Sequence, residues 1–329
     1  MALPFRDVQI GRCTPADVAF HPGGGRFAVA GEDGTVRLWD TATGHAVGRS
    51  PAGPAEQAWA VAFHPCGGLV ATGWSDGTIR VFRTDAFRPA GEAPGGHAEG
   101  VTALAFHPAG HLLASAGQDG TVRLWHAGTL QPADTLQPAD TLQPAGEPLG
   151  GTGDPAYAVA FSPDGRLLAG AAGRTVRLWD GETGRPVGHL PGDHSGSVHA
   201  VAFHPGGRLL AAAGYDRNQV RLWDVTTGCP VGEPVLGHRG DHVWAVAFHP
   251  GGRFFATAGD DLMVRLWDTA TVRPAGEPLN GHTGHVSSLA FHPRGSLLAA
   301  PDAGGTVRLW SMPSVSGSGT GAARCRVSG

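Results

Sequence analysis

Three features of this chain could carry chemistry. Gly73-Trp74-Ser75-Asp76-Gly77 has the Gly-x-Ser-x-Gly spacing of a nucleophile elbow, which holds a serine on a sharp strand-to-helix turn. Seventeen histidines offer imidazoles for proton transfer or metal ligation, His238 and His242 among them four residues apart. Gly317-Ser-Gly-Thr-Gly321 offers glycines of the kind that let a backbone approach phosphates. The basic residues narrow this field. All 24 are arginine, which excludes a P-loop, whose lysine reaches the phosphates, and a lysine Schiff base. With 28 acidic residues against those 24, there is no net attraction to a phosphate backbone. Cys13, Cys66, Cys229 and Cys325 lie far apart without a Cys-x-x-Cys pair, which argues against a disulfide framework or zinc knuckle and for a reducing compartment.

The elements that would have to position these groups follow a repeat. Phe20-His21-Pro22 recurs with its phenylalanine at Phe63, Phe106, Phe161, Phe203, Phe248 and Phe291, at spacings of 43, 43, 55, 42, 45 and 43 residues; only Phe161-Ser162-Pro163 lacks the histidine. A period of roughly 40–45 residues signals a radial array of four-stranded blades. In the third unit Val101–Phe106 alternates as a strand, 112–115 makes a second and 121–125 a third. A weaker fourth follows in other units, at Pro186–Leu190 and 230–235, where proline suits an outer edge. Apolar residues on both faces of the inner strands require each blade to pack between two neighbours. The last unit stops after its third strand at Trp310, leaving 3–10 to supply the fourth. The expectation is an all-β chain: a single seven-bladed β-propeller of four-stranded antiparallel blades over 1–311, closed by the N-terminal strand. A Ser/Gly-rich tail at 312–329 is expected to be disordered. The 55-residue gap contains repeats of Thr-Leu-Gln-Pro-Ala-Asp, and the insertion at 129–145 reads as a surface loop between the third and fourth strands of blade three.

In this frame the chemical suspects weaken. The elbow falls in a strand-to-strand turn equivalent to Ala116-Gly-Gln-Asp-Gly120, and the glycine run has no helix after it. His21, His64, His107, His204, His249 and His292 occupy one turn in six different units, too dispersed to converge at ~2 Å on one ion. No catalytic centre, metal or cofactor is expected. Seven strand arginines (Arg37, Arg80, Arg123, Arg177, Arg221, Arg265, Arg308) are spread around the array without forming a stripe, so nucleic acid is not expected as a partner. The N-terminus lacks a signal-peptide pattern and no apolar run approaches the ~20 residues of a membrane span, so the expectation is a cytoplasmic protein with no membrane partner.

Trp-Asp pairs end the third strand at Trp39-Asp40, Trp179-Asp180, Trp223-Asp224 and Trp267-Asp268. Gly-His pairs open the units at Gly96-His97, Gly237-His238 and Gly281-His282, with His194 in a Gly-Asp-His variant. In phase, these motifs resemble the WD-repeat (WD40) β-propeller family over nearly the whole chain. The Pro-Val-Gly-Glu-Pro flavour resembles members from GC-rich, actinobacterial-like bacteria, a coding bias that also accounts for the missing lysine. The resemblance implies a hydrogen-bonded His, Ser/Thr, Asp and Trp set inside each blade: His97, Ser115, Asp119 and Trp125 in blade three, and His238, Thr257, Asp261 and Trp267 in blade six. It implies incomplete sets elsewhere: Thr72 and Asp76 with Phe82 in blade two, His194, Asp216 and Trp223 with Ala212 in blade five, His282 and Trp310 in blade seven, and Trp179 alone in blade four. Such a trio could describe a hydrolase, but a buried structural set lacks the exposed nucleophile that reaction needs.

The resemblance also implies where partners dock. In WD-repeat propellers the slot four residues before the anchor phenylalanine, the slot two residues earlier, and the residue before the turn aspartate face the narrower rim. Here these slots hold Trp59, Tyr157, His199 and Trp244; His242 and His285; and Tyr215 and Asp260. Aromatics among polar groups on an open face suit a binding hot spot. The expected arc over blades four to six comprises Tyr157, His199, Tyr215, His242, Trp244 and Asp260, with His285 of blade seven and Trp59 of blade two. The expected role is a monomeric, non-catalytic scaffold for protein–protein interaction. The alternative is a sensor or regulatory propeller serving a separately encoded NTPase, kinase or other effector.

Overall fold

Small and β-branched residues alternate in each inner strand, and the strands that follow are thin enough for neighbouring sheets to close on them. Ala58–Phe63, Val101–Phe106, Ala156–Phe161, Val198–Phe203 and Val243–Phe248 are five such inner strands. Each pairs antiparallel with an alanine-rich second strand, such as the fully buried Leu112–Gly117, and that with a third, such as Thr121–His126. The computed structural model describes residues 3–11, 13–50, 56–93, 96–127, 140–151, 153–191, 196–215, 219–238 and 242–313.

The strands form seven antiparallel-based sheets, one per blade. Six run in chain order from inner to outer strand. The seventh joins both parts of the chain: Phe5–Gln9 pairs antiparallel with Thr306–Ser311, setting Phe5 opposite Trp310 and Gln9 opposite Thr306. The N-terminal strand therefore closes the ring, as the truncated last unit predicts. Arg308 fixes that closure with paired bonds of 2.6 and 2.7 Å to the two carboxylate oxygens of Asp7, while its guanidinium lies 4.1 Å over the Phe5 ring. Between successive blades lie seven apolar clusters; the one joining blades four and five packs Leu178, Val198 and Leu210 against Trp223. At about 1.5–3 kcal/mol per fully buried large aliphatic or aromatic side chain, these seams hold the ring together.

Outer strands are less regular. Blades one, two and four have Ala46–Arg49, Pro89–Ala93 and Pro186–Leu190. Blades three and five split theirs into two-residue pieces, Gln143–Pro144 with Leu149–Gly150 and Cys229–Pro230 with Val235–Leu236. Each split falls at Gly-Glu-Pro, whose proline has no N–H to give the ladder.

The insertion differs from the expected surface loop. Asp140–Thr141 adds a parallel strand to the edge of blade two, beside Gly91 and Glu92, and Leu142 is buried among Leu69, Val81, Leu113 and Trp125. Its end thus stitches blade two to blade three, because an apolar residue next to an unpaired strand edge finds both a ladder and a core there. The rest of the repeat, at 128–139, and the tail from 314 lie outside the described residues.

The Phe-His-Pro turns form a second closure. In each, His Nδ1 accepts a main-chain N–H two residues on, so the ring proton is on Nε2, which donates to a glycine carbonyl in the corresponding turn of the next blade. The six bonds run from His21 to Gly67, His64 to Gly110, His107 to Gly165, His204 to Gly252, His249 to Gly295 and His292 to Gly24, at 2.9–3.2 Å. These glycines have φ of +71° to +84°, and a Cβ on any of them would overlap the histidine ring. Blade four breaks the circle. Ser162 turns back to accept the Leu167 N–H and to donate to Asp164, while the space at Gly207 stays open.

Candidate functional site

At the other end of the inner strands, three slots bring aromatic side chains from different blades together. Tyr157 stacks on His199 with centroids 4.4 Å apart, and His199 meets Trp244 edge-on at 4.8 Å. Trp244 stacks on His242 at 4.9 Å, His242 contacts Tyr215 at 4.5 Å, and His285 approaches Trp244 at 6.2 Å. Asp260 braces the middle, accepting from His242 Nδ1 and Trp244 Nε1 at 2.6 Å each. Seven of the eight rim residues named from the sequence thus form one continuous surface across blades four to seven. Tyr215 and His285 are exposed and the others half-buried, as a surface with rigid anchors and open edges would be.

Trp59 lies elsewhere on the rim. Its indole donates to Gln57 at 3.0 Å and its ring lies over Gly100, where any side chain would clash. With Tyr157, His199 and Trp244 it lines a central opening of ≈ 200 Å³. Burial, reinforced by the neighbouring His242 and partly opposed by Asp260, lowers the His199 imidazole to about 4. His199 is therefore uncharged at neutral pH.

Sequence reasoning passed over Asp17 in that opening. Its carboxylate accepts from Ser288 Oγ at 2.6 Å, Val18 N at 2.8 Å and Val61 N at 2.9 Å, tying blade one to blades seven and two. Burial pushes its pKa up against those three donors. The detectable signal was an acid in a slot that holds alanine in five other blades and serine in blade seven.

Inside the blades the polar sets are explicit. In blade three, His97 contacts Asp119 at 2.9 Å and Ser115 at 2.7 Å, and Trp125 Nε1 donates to the same Ser115 oxygen at 2.9 Å. Blade six repeats this with His238 to Asp261 at 2.9 Å, His238 to Thr257 at 2.7 Å and Trp267 to Thr257 at 2.9 Å. Burial holds His97 below its usual pKa although Asp119 pulls the other way. Burial would raise Asp119, but bonds from His97, Thr121 and the Ala98 N–H outweigh it and bring it to about 2.

One histidine–carboxylate group has metal-like spacing: His107, His111 and Glu182 present ligand atoms within 4.8 Å of one another. His107 Nδ1 accepts the Ala109 N–H, which keeps the proton on Nε2 and leaves that nitrogen no lone pair for an ion. Glu182 instead accepts from His111 at 2.8 Å and faces His107 at 3.3 Å. The donor set fits a hydrogen-bonded cluster and not a metal.

The WD domain, G-beta repeat family matches this chain seven times, at residues 13–40, 49–83, 93–126, 147–180, 184–224, 230–268 and 275–311. The chain belongs to the WD-repeat family. A segment of 54 residues, 16% of the chain, is 44% identical to cilia- and flagella-associated protein 43 of Chlamydomonas reinhardtii, of which it covers 3%.

As a WD-repeat propeller, the chain departs from its own pattern in instructive ways. Blade seven has Ala300 where blade three has Ser115, and two polar atoms, His282 Nε2 and Trp310 Nε1, are buried without a partner. Asp302, which the sequence pattern did not assign to this set, still reaches His282 at 3.1 Å from a position two residues earlier in the turn. In blade two, Trp74 is fully buried and donates to Thr72 at 2.8 Å, replacing the missing histidine; it is framework and not rim. Ser75 of the elbow-like motif lies in a strand-to-strand turn and accepts the Gln57 N–H at 3.0 Å. His194 and Asp216 of blade five lie outside the described residues.

Proposed function

We propose that this WD-repeat ring is a non-catalytic, monomeric cytoplasmic scaffold that docks a protein segment across its narrower rim, over blades four to seven. The observation that carries the reading is the contiguous set Tyr157, His199, Trp244, His242 and Tyr215 braced by Asp260. Large aromatic surfaces held rigid before contact lose little entropy on binding, and a central aromatic cluster with a polar edge is the usual energetic centre of an interface. The buried hydrogen-bonded sets of blades three and six beside this half-open arc support the same assignment. The matched relative is named for association with cilia and flagella.

The test is capture from host lysate on the wild-type chain and on Tyr157→Ala/Trp244→Ala, with circular dichroism showing both folded. Proteins retained by the first and lost by the second support the rim. Equal retention by both would remove it.

A further inference from the structure

A carboxylate without a counter-charge lines the central opening. Asp17 stands one residue further along its strand than the rim slot, where five blades have alanine (Ala60, Ala103, Ala158, Ala200 and Ala245) and the seventh has Ser288. Six inner strands close the ring without an acid at this position, so closure alone does not account for it. The three donors that reach Asp17 are Ser288 Oγ, Val18 N and Val61 N, all neutral. Among the described residues no basic side chain pairs with it, and burial pushes its pKa up. Charge withdrawn from water is costly unless a cation matches it. Oδ1 takes two of the donors and Oδ2 only one, which leaves Oδ2 a lone pair to offer. The walls supply the other half of a cation site. Trp59, Tyr157 and Trp244 line the same ≈ 200 Å³ opening, no arginine lines it, and the faces of such rings carry partial negative charge. His199 in that lining is uncharged at neutral pH and adds no repulsion.

We propose that the central opening is a binding site for an alkylguanidinium group, with Asp17 as its counter-charge and Trp59, Tyr157 and Trp244 as its walls. A guanidinium is planar, stays charged at any working pH and is more weakly hydrated than an ammonium. It gives N–H groups to a carboxylate while its face lies on an aromatic ring, so it loses least on entering a narrow aromatic opening. The opening has room for one group of side-chain size and not for a folded element. The site stands apart from the docking of a protein on the rim: Asp17 and Trp59 lie outside the stacked arc, and a small cation can be read directly.

The probe is N-acetyl-arginine amide, titrated calorimetrically into the native full chain, with N-acetyl-citrulline amide as its uncharged isostere. The expected result is saturable one-to-one binding of the arginine compound, with the citrulline compound ~10-fold or more weaker. Asp17→Ala, which restores the residue of five other blades, should lose that same ~10-fold while remaining folded. Trp59→Ala should weaken binding by ~3-fold or more and keep the preference for the charged compound. No saturable binding by the wild type, equal binding of the two compounds, or an unchanged affinity in folded Asp17→Ala overturns the proposal. If Asp17→Ala does not fold, the comparison of the two compounds on the wild type decides. Ethylguanidinium separates the two sources of the group. Affinity equal to that of the amide assigns the site to a free small cation, and ~10-fold weaker affinity assigns it to an arginine within a chain.

Discussion

The two ends of the inner strands keep the repeat with very different fidelity. At the Phe-His-Pro end, six blades carry the same histidine in the same tautomer, each clasping a glycine of the next blade. At the rim end, the slot four residues before the anchor phenylalanine holds alanine, tryptophan, threonine, tyrosine, histidine or serine, and among the described residues the large side chains meet one another over blades four to seven. Identical groups in equivalent places maintain a ring, because every seam must be closed alike. Groups that occur in only part of the ring are not needed for closure, so the arc is free to break the pattern. The difference separates groups that hold the ring from groups that do not.

The largest expected effect is on binding. Removing Tyr157 and Trp244 together should weaken a partner's affinity by ~30-fold or more, the scale of a hot-spot loss of ~2 kcal/mol, measured by titration calorimetry. Next come the buried sets. Ser115→Ala strands His97 Nε2 and Trp125 Nε1 and should cost about 2 kcal/mol in urea unfolding. Ala300→Ser should do the reverse in blade seven, offering one oxygen to two orphaned atoms and adding about 1 kcal/mol. If both variants destabilise, the hydroxyl is not the bridge that distinguishes these blades. Smaller still, Ser162→His should supply the missing clasp from blade four to the Gly207 turn and add at most ~1 kcal/mol, read as higher amide protection at that seam.

The pH dependence follows from Asp119. Its folded pKa of about 2 lies below the ordinary carboxylate value, so its contribution is complete above roughly pH 4 and is lost as pH falls toward 2. Asp119→Asn should flatten the acid limb of the stability curve in that window. An unchanged limb would show that Asp119 is not held by His97 and Thr121 as the geometry has it.

Most of the fold was legible because period, turn residues and a missing last strand are properties of the sequence itself. Closure by Phe5–Gln9 followed from Trp310 lacking a successor strand. The split outer strands were only partly legible, since Gly-Glu-Pro marks a break without saying where the chain re-pairs. Contacts that cross between blades were not legible. The seam made by Leu142 has no local signature, Asp17 stands out as an acid in an alanine slot without naming Ser288 as its partner, and Asp302 reaches His282 from outside the motif position. The role of Trp74 was not legible because a buried indole and an exposed one look alike in a strand-end slot; its partner Thr72 decides the matter. At the rim, the family resemblance named the residues, but their mutual stacking arises from blade packing and is visible only in three dimensions.

The most direct test of the division between framework and rim is a crossed measurement on one captured partner. Its affinity and the unfolding midpoint are compared for Tyr157→Ala/Trp244→Ala and for His249→Ala, which removes the clasp to Gly295. The account predicts that the rim variant loses affinity while remaining folded, and that the clasp variant loses about 1 kcal/mol of stability with affinity unchanged. Loss of affinity in the clasp variant with none in the rim variant would contradict it.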